Sequence, residues 1–286
     1  MKNKTKLFVG MSIIALMFAF LPLVRADVCV GQNCPANINL TIGNVAPTIP
    51  YVVPGSAITL NGGTTKVVTV TFNATDDNGY ADLNFATAKV ELIKGVVTRT
   101  SSACIPVLNG TITSTIDCTV TLNFYDEAGA DWMVNATIKD LANAPAENSS
   151  NVATVNSLDY VTQDVTYFAW ASATLGTNDV EANNPITLTN GGNQNYATMN
   201  IKGQKAVGEV YLDEIGADKF SVSNLTGQTT GQIYMINNTN VDVSSMLNLN
   251  THGASVTKNI YAYVNVPTGI SADTYLSSSA WTISLA

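Results

Sequence analysis

Residues 68–75 read Val68-Thr-Val-Thr-Phe-Asn-Ala-Thr75, a strict alternation of apolar and polar side chains. Alternation with a period of two places one set of side chains in a core and the other in solvent, which is typical of a half-buried β-strand. No stretch after residue 26 carries a sustained helical pattern, so we expect an all-β protein. The same alternation recurs at Val90 and Leu92; at Val120, Leu122 and Phe124; at Trp132, Val134, Ala136 and Ile138; at Ile186 and Leu188; at Met199 and Ile201; at Ile260, Ala262, Val264 and Val266; and at Trp281, Ile283 and Leu285.

Uncharged polar residues and tight turns complete this pattern. Only 12% of the 286 residues are charged, about half the ~25% that is usual for a soluble domain, whereas 35 are Thr and 31 are Asn. Asn-Gly dipeptides, in which both residues tolerate positive φ, begin at Asn61, Asn78, Asn109 and Asn190. Short strands with frequent turns predict antiparallel β-sandwiches.

The length suits two domains, and we place their boundary near residues 155–163. Residues 47–157 form the first predicted sandwich and residues 160–286 the second, with residues 157–159 as a linker. Residues 141–150 are predicted to be a loop before a last strand at residues 152–155. Residues 27–46 form a short N-terminal segment with a Cys loop and one alternating run, Ile38, Leu40 and Ile42.

Residues 1–26 have the features of a secretory signal peptide. Three Lys precede an apolar run at residues 7–24, and Val24 and Ala26 supply the small residues of a cleavage site. We predict export with cleavage after Ala26; the alternative is retention as an N-terminal anchor, because the run is at the lower limit of a membrane span. Cleavage leaves 9 basic against 21 acidic residues. This negative charge favours solubility outside the cell over membrane insertion of the mature chain.

Four cysteines fall in two close pairs, Cys29 with Cys34 and Cys104 with Cys118. An exported chain meets an oxidising environment, and proximity favours local pairing, so we predict two disulfides. The alternative is a metal site made of four Cys, but neither pair has the two-residue spacing of a zinc knuckle.

Several stretches resemble known extracellular modules. Thr69-Val-Thr-Phe-Asn-Ala-Thr-Asp-Asp-Asn-Gly-Tyr-Ala-Asp82, residues 118–124 and residues 131–140 resemble the immunoglobulin-like and fibronectin-type modules of archaeal and bacterial cell-surface proteins. Ile186-Thr-Leu-Thr-Asn-Gly-Gly-Asn193 and residues 264–275 resemble repeated domains of archaeal envelope proteins. The resemblance implies two tandem antiparallel immunoglobulin-like β-sandwiches after a signal peptide. Cys104 and Cys118 are too close in sequence for the usual inter-sheet bridge, so a hairpin or loop clasp is expected.

Acidic and amide side chains gather at residues 76–82, and Asp140 ends a later alternating stretch. Calcium prefers oxygen ligands on loops, which gives one interpretation of this pattern as a calcium site. The other interpretation is a turn with solvated acids, since Asp-Asn-Gly is ordinary turn chemistry and the spacing is not that of an EF-hand. No other cofactor is expected. The candidate ligands are Asp76, Asp77, Asn78, Asp82 and Asp140.

Seven Asn-x-Ser/Thr sites after residue 26 are candidate glycosylation sites. Asn73 and Asn135 alternate with Phe72 and Val134, so we expect both to project to solvent. The seven sites are Asn39, Asn73, Asn109, Asn135, Asn148, Asn224 and Asn237.

The net charge, the single His and the lack of a catalytic motif argue against several classes of function. A formal charge of -8 without a basic stripe argues against nucleic-acid binding, and a single His excludes multi-His metal sites. No catalytic signature marks a nucleophile, so we interpret His252 as a loop residue and the chain as a non-enzyme.

We expect a non-catalytic extracellular structural protein of a prokaryotic, archaeal-type cell envelope, in a filament or surface layer. Its expected partners are other copies, other envelope proteins or glycans; the alternatives are an adhesin that binds glycan or protein, and a secreted hydrolase.

The alternating run at residues 38–42 has two interpretations. It can fold back as an ordinary first strand of its own sandwich. It can also add to the next copy as a donor strand, with main-chain hydrogen bonds and three aliphatic side chains filling a groove. A head-to-tail contact of the second kind does not close and grows filaments.

Overall fold

The alternating stretch at residues 68–75 lies in a strand, Lys66–Thr75, whose inward side chains Val70, Phe72 and Ala74 are fully buried. The strand is part of a computed structural model that describes residues 38–249, 252–254 and 256–286. Over these residues the protein has several antiparallel sheets, two short 3₁₀ turns and no α-helix, which confirms the all-β prediction. The described ranges hold no helix of the length and apolarity that a membrane span requires.

The chain divides into two units, Met1–Gly43 and Asn44–Ala286. Of the first unit the structure describes residues 38–43, which form no strand. The side chains of Ile38, Leu40 and Ile42 are 93%, 76% and 79% exposed. The signal-peptide prediction for residues 1–26 and the Cys29–Cys34 pair lie outside the described residues.

Seven strands form the first half of the second unit, residues 44–155. They are β1 (Thr48–Val53), β2 (Lys66–Thr75), β3 (Leu83–Lys94), β4 (Val97–Asn109), β5 (Thr113–Leu122), β6 (Gly129–Asp140) and β7 (Pro145–Val155), with a 3₁₀ turn, η1 (Tyr80–Asp82), before β3. Their order is β1-β2-β5-β4-β3-β6-β7, and neighbours are antiparallel.

The inward side chains of these strands form one buried cluster. Phe72 of β2 and Ile116 of β5 are fully buried, as is Trp132 of β6. Trp132 Nε1 donates a hydrogen bond to the carbonyl oxygen of Glu127 at 2.9 Å, so its one polar atom is satisfied. Burial of a large apolar side chain contributes roughly 1.5–3 kcal/mol, which is why the alternation in sequence is followed so closely by these strands.

β4 changes partner along its length. Residues 97–100 pair with β3, whereas residues 101–109 pair with β5. The other edge of residues 101–109 has no partner strand in the described part of the chain. On this part of β4, Ile105, Val107 and Leu108 are 59%, 51% and 69% exposed. Residues 101–109 of β4 therefore leave a free and partly apolar strand edge.

The cysteines of this half lie opposite each other on β4 and β5. Cys104 is the register partner of Cys118, and the two form a disulfide with a Cα–Cα distance of 4.0 Å. The bridge links neighbouring strands of one hairpin rather than two sheets. It is the local pairing, in the form of a hairpin clasp, that the sequence predicts.

The loop prediction for residues 141–150 is wrong for residues 145–150. These residues are the first part of β7, in which residues 145–148 pair with β6 from Lys139 to Ala136. Pro145 stands at the first position of an edge strand, where a missing N–H is tolerated. The side chains of this stretch are mostly polar and predict a loop, but backbone hydrogen bonds to β6 make it a strand.

The second half, residues 161–286, has shorter strands. Within the described ranges they are β8 (Val161–Gln163), β9 (Val180–Glu181), β10 (Ile186–Asn190), β11 (Met199–Lys202), β12 (Ala206–Gly208), β13 (Glu214–Ile215), β14 (Phe220–Ser223), β15 (Ile233–Tyr234), β16 (Asn240–Asp242), β17 (Val256–Val264), β18 (Tyr275–Ser277) and β19 (Thr282–Leu285), with a 3₁₀ turn, η2 (Ala217–Lys219). The sheets are β15-β14-β17-β10-β8 with β9 also on β17, β16-β11-β19, and β13-β12-β18. They enclose a buried cluster of their own.

A buried turn joins the two halves. Residues 190–193, which begin with the last residue of β10, are buried against the connection at residues 156–160. Asn193 Oδ1 accepts the N–H of Leu158 at 2.6 Å. Asn193 Nδ2 donates to the carbonyl oxygens of Asp126 at 2.9 Å and Asn156 at 3.1 Å. One side chain of the second half thus binds three backbone groups of the first half and the connection.

Glycines permit this close approach. The N–H of Gly63 donates to the carbonyl oxygen of Gly191 at 2.8 Å. A Cβ atom on Gly62 would lie 2.5 Å from the ring of Tyr160, and one on Gly192 would collide with the carbonyl oxygen of Leu158. The Asn-Gly signal at residues 190–191 therefore marks a packed contact as well as a turn.

Candidate functional site

Three aspartates meet at one end of the first core. Asp76 follows β2, Asp82 ends η1, and Asp140 is the last residue of β6. Backbone hydrogen bonds hold their loops together: the N–H of Asp76 donates to Ile112 and the N–H of Leu141 donates to Asp82, both at 2.8 Å. One carboxylate oxygen of each aspartate lies within 4.8 Å of the other two. We call these three residues the aspartate cluster.

Asp76 has a buried carboxylate of which only one oxygen is hydrogen-bonded. Its side chain is buried, and Oδ1 accepts the N–H of Asn78 at 2.8 Å. Oδ2 is also buried but has no hydrogen-bond partner among the described residues. Burial raises the pKa of Asp76 above the ordinary 3.8, and the carboxylates of Asp82 and Asp140 raise it further against the opposing effect of the Asn78 N–H. A proton or a bound cation would therefore stabilise the Asp76 carboxylate by neutralising its charge.

The other two aspartates differ in their surroundings. Asp140 is fully buried; its Oδ1 accepts the N–H of Ala144 and its Oδ2 accepts Nδ2 of Asn44, both at 2.7 Å. Asp82 is only half-buried, so solvent reaches the cluster on its side. Among the described residues, none of the ion pairs within 4.0 Å involves a member of the cluster.

The structure thus brings together three of the five candidate ligands. Asp77 is exposed and is not one of the converging groups. Asn78 Oδ1 accepts the N–H of Val45 at 2.8 Å, which ties the start of the second unit to the same loop. Sequence reasoning missed Asn44, which orients Asp140. The two residues are 96 positions apart, and no local pattern marks such a contact.

A second feature is an apolar tip between β12 and β13. Val210, Tyr211 and Leu212 are 71%, 62% and 69% exposed. Asp273 Oδ2 accepts the N–H of Val210 at 2.8 Å and that of Tyr211 at 3.0 Å. The hydrogen bond from Tyr211 is the main reason that the pKa of Asp273 lies below the ordinary 3.8. The backbone of the tip is therefore fixed, although its side chains are in solvent.

His252 lies at the surface of the second half. Its Nδ1 is 2.7 Å from Oδ1 of Asn195. Two open hollows on the described surface are lined by residues between 54 and 69 and by residues between 205 and 237. His252 lines neither hollow, and Asn195 is the hydrogen-bond partner that the described residues give its ring.

The candidate glycosylation sites differ in accessibility. Asn148 Nδ2 donates to the carbonyl oxygen of Ile49 at 2.8 Å, so a glycan there would replace a contact between β7 and β1. The exposed sites are Asn39, Asn109, Asn224 and Asn237, and the half-buried sites are Asn73, Asn135 and Asn148. Exposure therefore favours the first four as acceptors.

Comparisons of this chain with family models, with curated proteins and with solved structures found no match. The resemblance to cell-surface modules stays a prediction. Function has to be inferred from the fold, the surfaces and the aspartate cluster.

Proposed function

We propose that this chain is a non-catalytic extracellular structural protein of a prokaryotic cell envelope of the archaeal type, and that copies of it join by strand addition. The predicted signal peptide, the low charge and the Thr- and Asn-covered strands support the extracellular role. The observation that carries self-assembly is the presence, in the described part of the chain, of two exposed surfaces that no strand of that part covers. These are the exposed aliphatic run at residues 38–42 and the free edge of β4.

The strand order supports immunoglobulin-like sandwiches as the building blocks. In a constant-type immunoglobulin domain, strands A, B, E and D form one sheet and strands C, F and G the other. If the strands of the first half are lettered in chain order, β1-β2-β5-β4 and β3-β6-β7 follow that arrangement. The separate buried cluster of the second half supports a second sandwich in tandem with the first.

The free edge of β4 is suited to an added strand. An unpaired edge presents N–H and C=O groups that another chain can use. Pro106 has no N–H, so the ladder that we propose runs along residues 101–105. Ile105 is exposed at the end of this stretch, so its side chain gives an incoming strand apolar surface to cover.

The occupant that we propose is residues 38–42 of a second copy. Ile38, Leu40 and Ile42 fall on one side of an extended segment, and residues 38–42 form no strand in the structure. Their exposed apolar surface would be covered in such a contact, which stabilises association by about 25 cal/mol for each Å² of apolar area buried. Because donor and acceptor lie on different parts of the chain, the contact repeats head to tail and grows a filament.

Electron microscopy of the mature chain tests this proposal. We expect filaments from the wild type and their loss in Leu40→Asp, which would bury a charge between two copies. Asn37→Asp adds the same charge at the opposite phase of the alternation and should leave the filaments intact. On the acceptor side, Ile105→Lys should abolish filaments, whereas Thr121→Lys, at an exposed position of β5 that pairs with Val67 of β2, should not.

Deletion of residues 27–43 completes the test, because it removes the donor and keeps Asn44. We expect monomers with the circular dichroism of the intact chain. Filaments that persist in the deletion or in Leu40→Asp would overturn strand addition. A wild-type chain that stays monomeric at all concentrations would overturn self-assembly itself.

The adhesin alternative is favoured by the apolar tip. A fixed backbone that presents an exposed aromatic ring loses little conformational freedom on binding, and such a ring suits the apolar face of a sugar. If the chain is an adhesin, Tyr211→Ser should abolish binding to a glycan array while filaments persist. Equal glycan binding by wild type and Tyr211→Ser would reject the tip as the binding site.

A further inference from the structure

We propose that Asp76, Asp82 and Asp140 bind one calcium ion at the loop end of the first half. The proposal is independent of self-assembly, since the cluster lies within the fold of one chain. It rests on the position of the carboxylate oxygens, on an oxygen of Asp76 without a hydrogen-bond donor among the described residues, and on the absence of the cluster from the ion pairs of those residues.

The oxygen positions fit a single calcium ion. Calcium binds oxygen ligands at about 2.3–2.6 Å, so two oxygens on opposite sides of one ion are about 4.6–5.2 Å apart. One oxygen from each aspartate already lies within 4.8 Å of the other two. One ion can therefore contact all three carboxylates without a change of backbone conformation.

The second observation is the unpartnered Oδ2 of Asp76. Asp76 is 1% exposed, and this oxygen has no hydrogen-bond donor among the described residues. Buried carboxylate oxygens are normally hydrogen-bonded, ion-paired or bound to metal. Asp140, by contrast, receives Ala144 N–H and Asn44 Nδ2 and is oriented by them. Asp140 is thus a fixed ligand beside Asp76, whose Oδ2 lacks a hydrogen-bond donor among the described residues.

Charge balance and ligand type select calcium. Three carboxylates converge, and none of the described ion pairs includes them. Oxygen ligands on loops suit calcium, which accepts irregular coordination, better than magnesium, which demands a near-octahedral shell. Asp82 is half-buried and leaves a side for water ligands. Three protein ligands suggest an affinity in the range of extracellular modules, about 10⁻⁴–10⁻³ M.

A bound ion would also tie together two segments of the first half. Asp76 and Asp82 belong to the connection between β2 and β3, and Asp140 to the end of β6. Asn44 contacts Asp140, and Val45 contacts Asn78. Calcium would thus fix the residues at which the second unit begins.

Thermal unfolding and calorimetry of the mature chain test the site. With about 10 mM calcium, which is 10- to 100-fold above the expected Kd, we expect the melting temperature to rise by roughly 3–10 °C relative to chelator. Magnesium at the same concentration should give a smaller rise. Asp76→Asn keeps the acceptor for the Asn78 N–H but should lower calcium affinity at least about tenfold. Asp77→Asn removes a neighbouring charge outside the cluster and should keep the full response.

Two results would overturn the proposal. One is a wild-type chain that is folded and shows neither a calcium-dependent shift nor heat of binding, which would mean that a proton alone neutralises the cluster. The other is an equal calcium response in Asp76→Asn and wild type. If Asp76→Asn does not fold, Asp82→Asn at the half-buried position gives the same test without disturbing the core.

Discussion

At the residue scale, Asp76 makes stability depend on pH when calcium is absent. Burial, and then its acidic neighbours, raise the pKa of Asp76 above 3.8 in the folded chain. The folded state therefore binds this proton more tightly than the unfolded state. The resulting stabilisation is complete below 3.8, the ordinary value, and is lost as the pH rises through the folded pKa.

Asp76→Asn should remove this loss. In chelator, we expect the variant to gain on the wild type as the pH rises from about 3 to about 7, and to be the more stable protein at neutral pH. Urea unfolding across that range measures the difference. Asp77→Asn is the control for general charge removal. An Asp76→Asn chain that is less stable than the wild type at neutral pH in chelator would contradict the assignment.

Some residues of the aspartate cluster and its surroundings can be predicted from the sequence, and others cannot. Asp76 and Asp82 stand out because Asp-Asp-Asn-Gly is a local signal, and the structure places both where loops converge. Asp77 belongs to the same signal yet is exposed, because side-chain direction beyond a strand end depends on the turn. Asn44 carries no signal at all, since its role arises only from a long-range contact.

At the element scale, the disulfide fastens β4 to β5 beside the free edge. Cys104 and Cys118 are 14 residues apart, and their strands pair on both sides of the bridge. Closure of a loop of about 15 residues is worth roughly 3 kcal/mol in the loop-entropy model. Cys104→Ala with Cys118→Ala should lower the free energy of unfolding by about this amount.

Urea unfolding of the double variant checks this magnitude, with the wild type under reducing conditions as its match. Both should lose the same stability and keep the native circular dichroism. Unfolding curves that coincide with that of the oxidised wild type would show that the bridge does not stabilise the hairpin.

The alternation of apolar and polar residues predicts some strands of the first half and misses others. β2 and β6 were predicted because one face of each is continuously buried. β4 was not, because Ile105, Val107 and Leu108 are exposed and Pro106 interrupts the alternation. The sequence predicts a loop for the first part of β7 because this stretch is held by its ladder to β6 and has no continuous apolar face. Alternation in sequence reflects burial of one face, so it does not identify strands whose side chains stay exposed at the edge of a sheet.

At the scale of the whole molecule, the two halves of the second unit are joined by the hydrogen bonds of one amide side chain, Asn193. Asp126, which accepts Asn193 through its backbone, is itself buried and paired with Arg99, whose Nε lies 2.8 Å from Oδ2. The hydrogen bond and the charge of Asp126 raise the pKa of Arg99 and keep it charged. Asp126, to which the second half binds through Asn193, is therefore itself held in place by Arg99 of the first half.

Asn193→Ala should loosen this contact. The substitution leaves the N–H of Leu158 and two carbonyl oxygens without their partner, and a buried polar group left unpaired costs about 1–3 kcal/mol. We expect each half to keep its own core while the connection at residues 156–160 becomes open to limited proteolysis and the radius of gyration from X-ray scattering increases. Asn195→Ala, two residues away with an exposed side chain, should cleave as slowly as the wild type. If Asn193→Ala resists cleavage equally and scatters identically, the glycine contacts at Gly62 and Gly192 hold the halves together without it, and the amide is only an accessory to their packing.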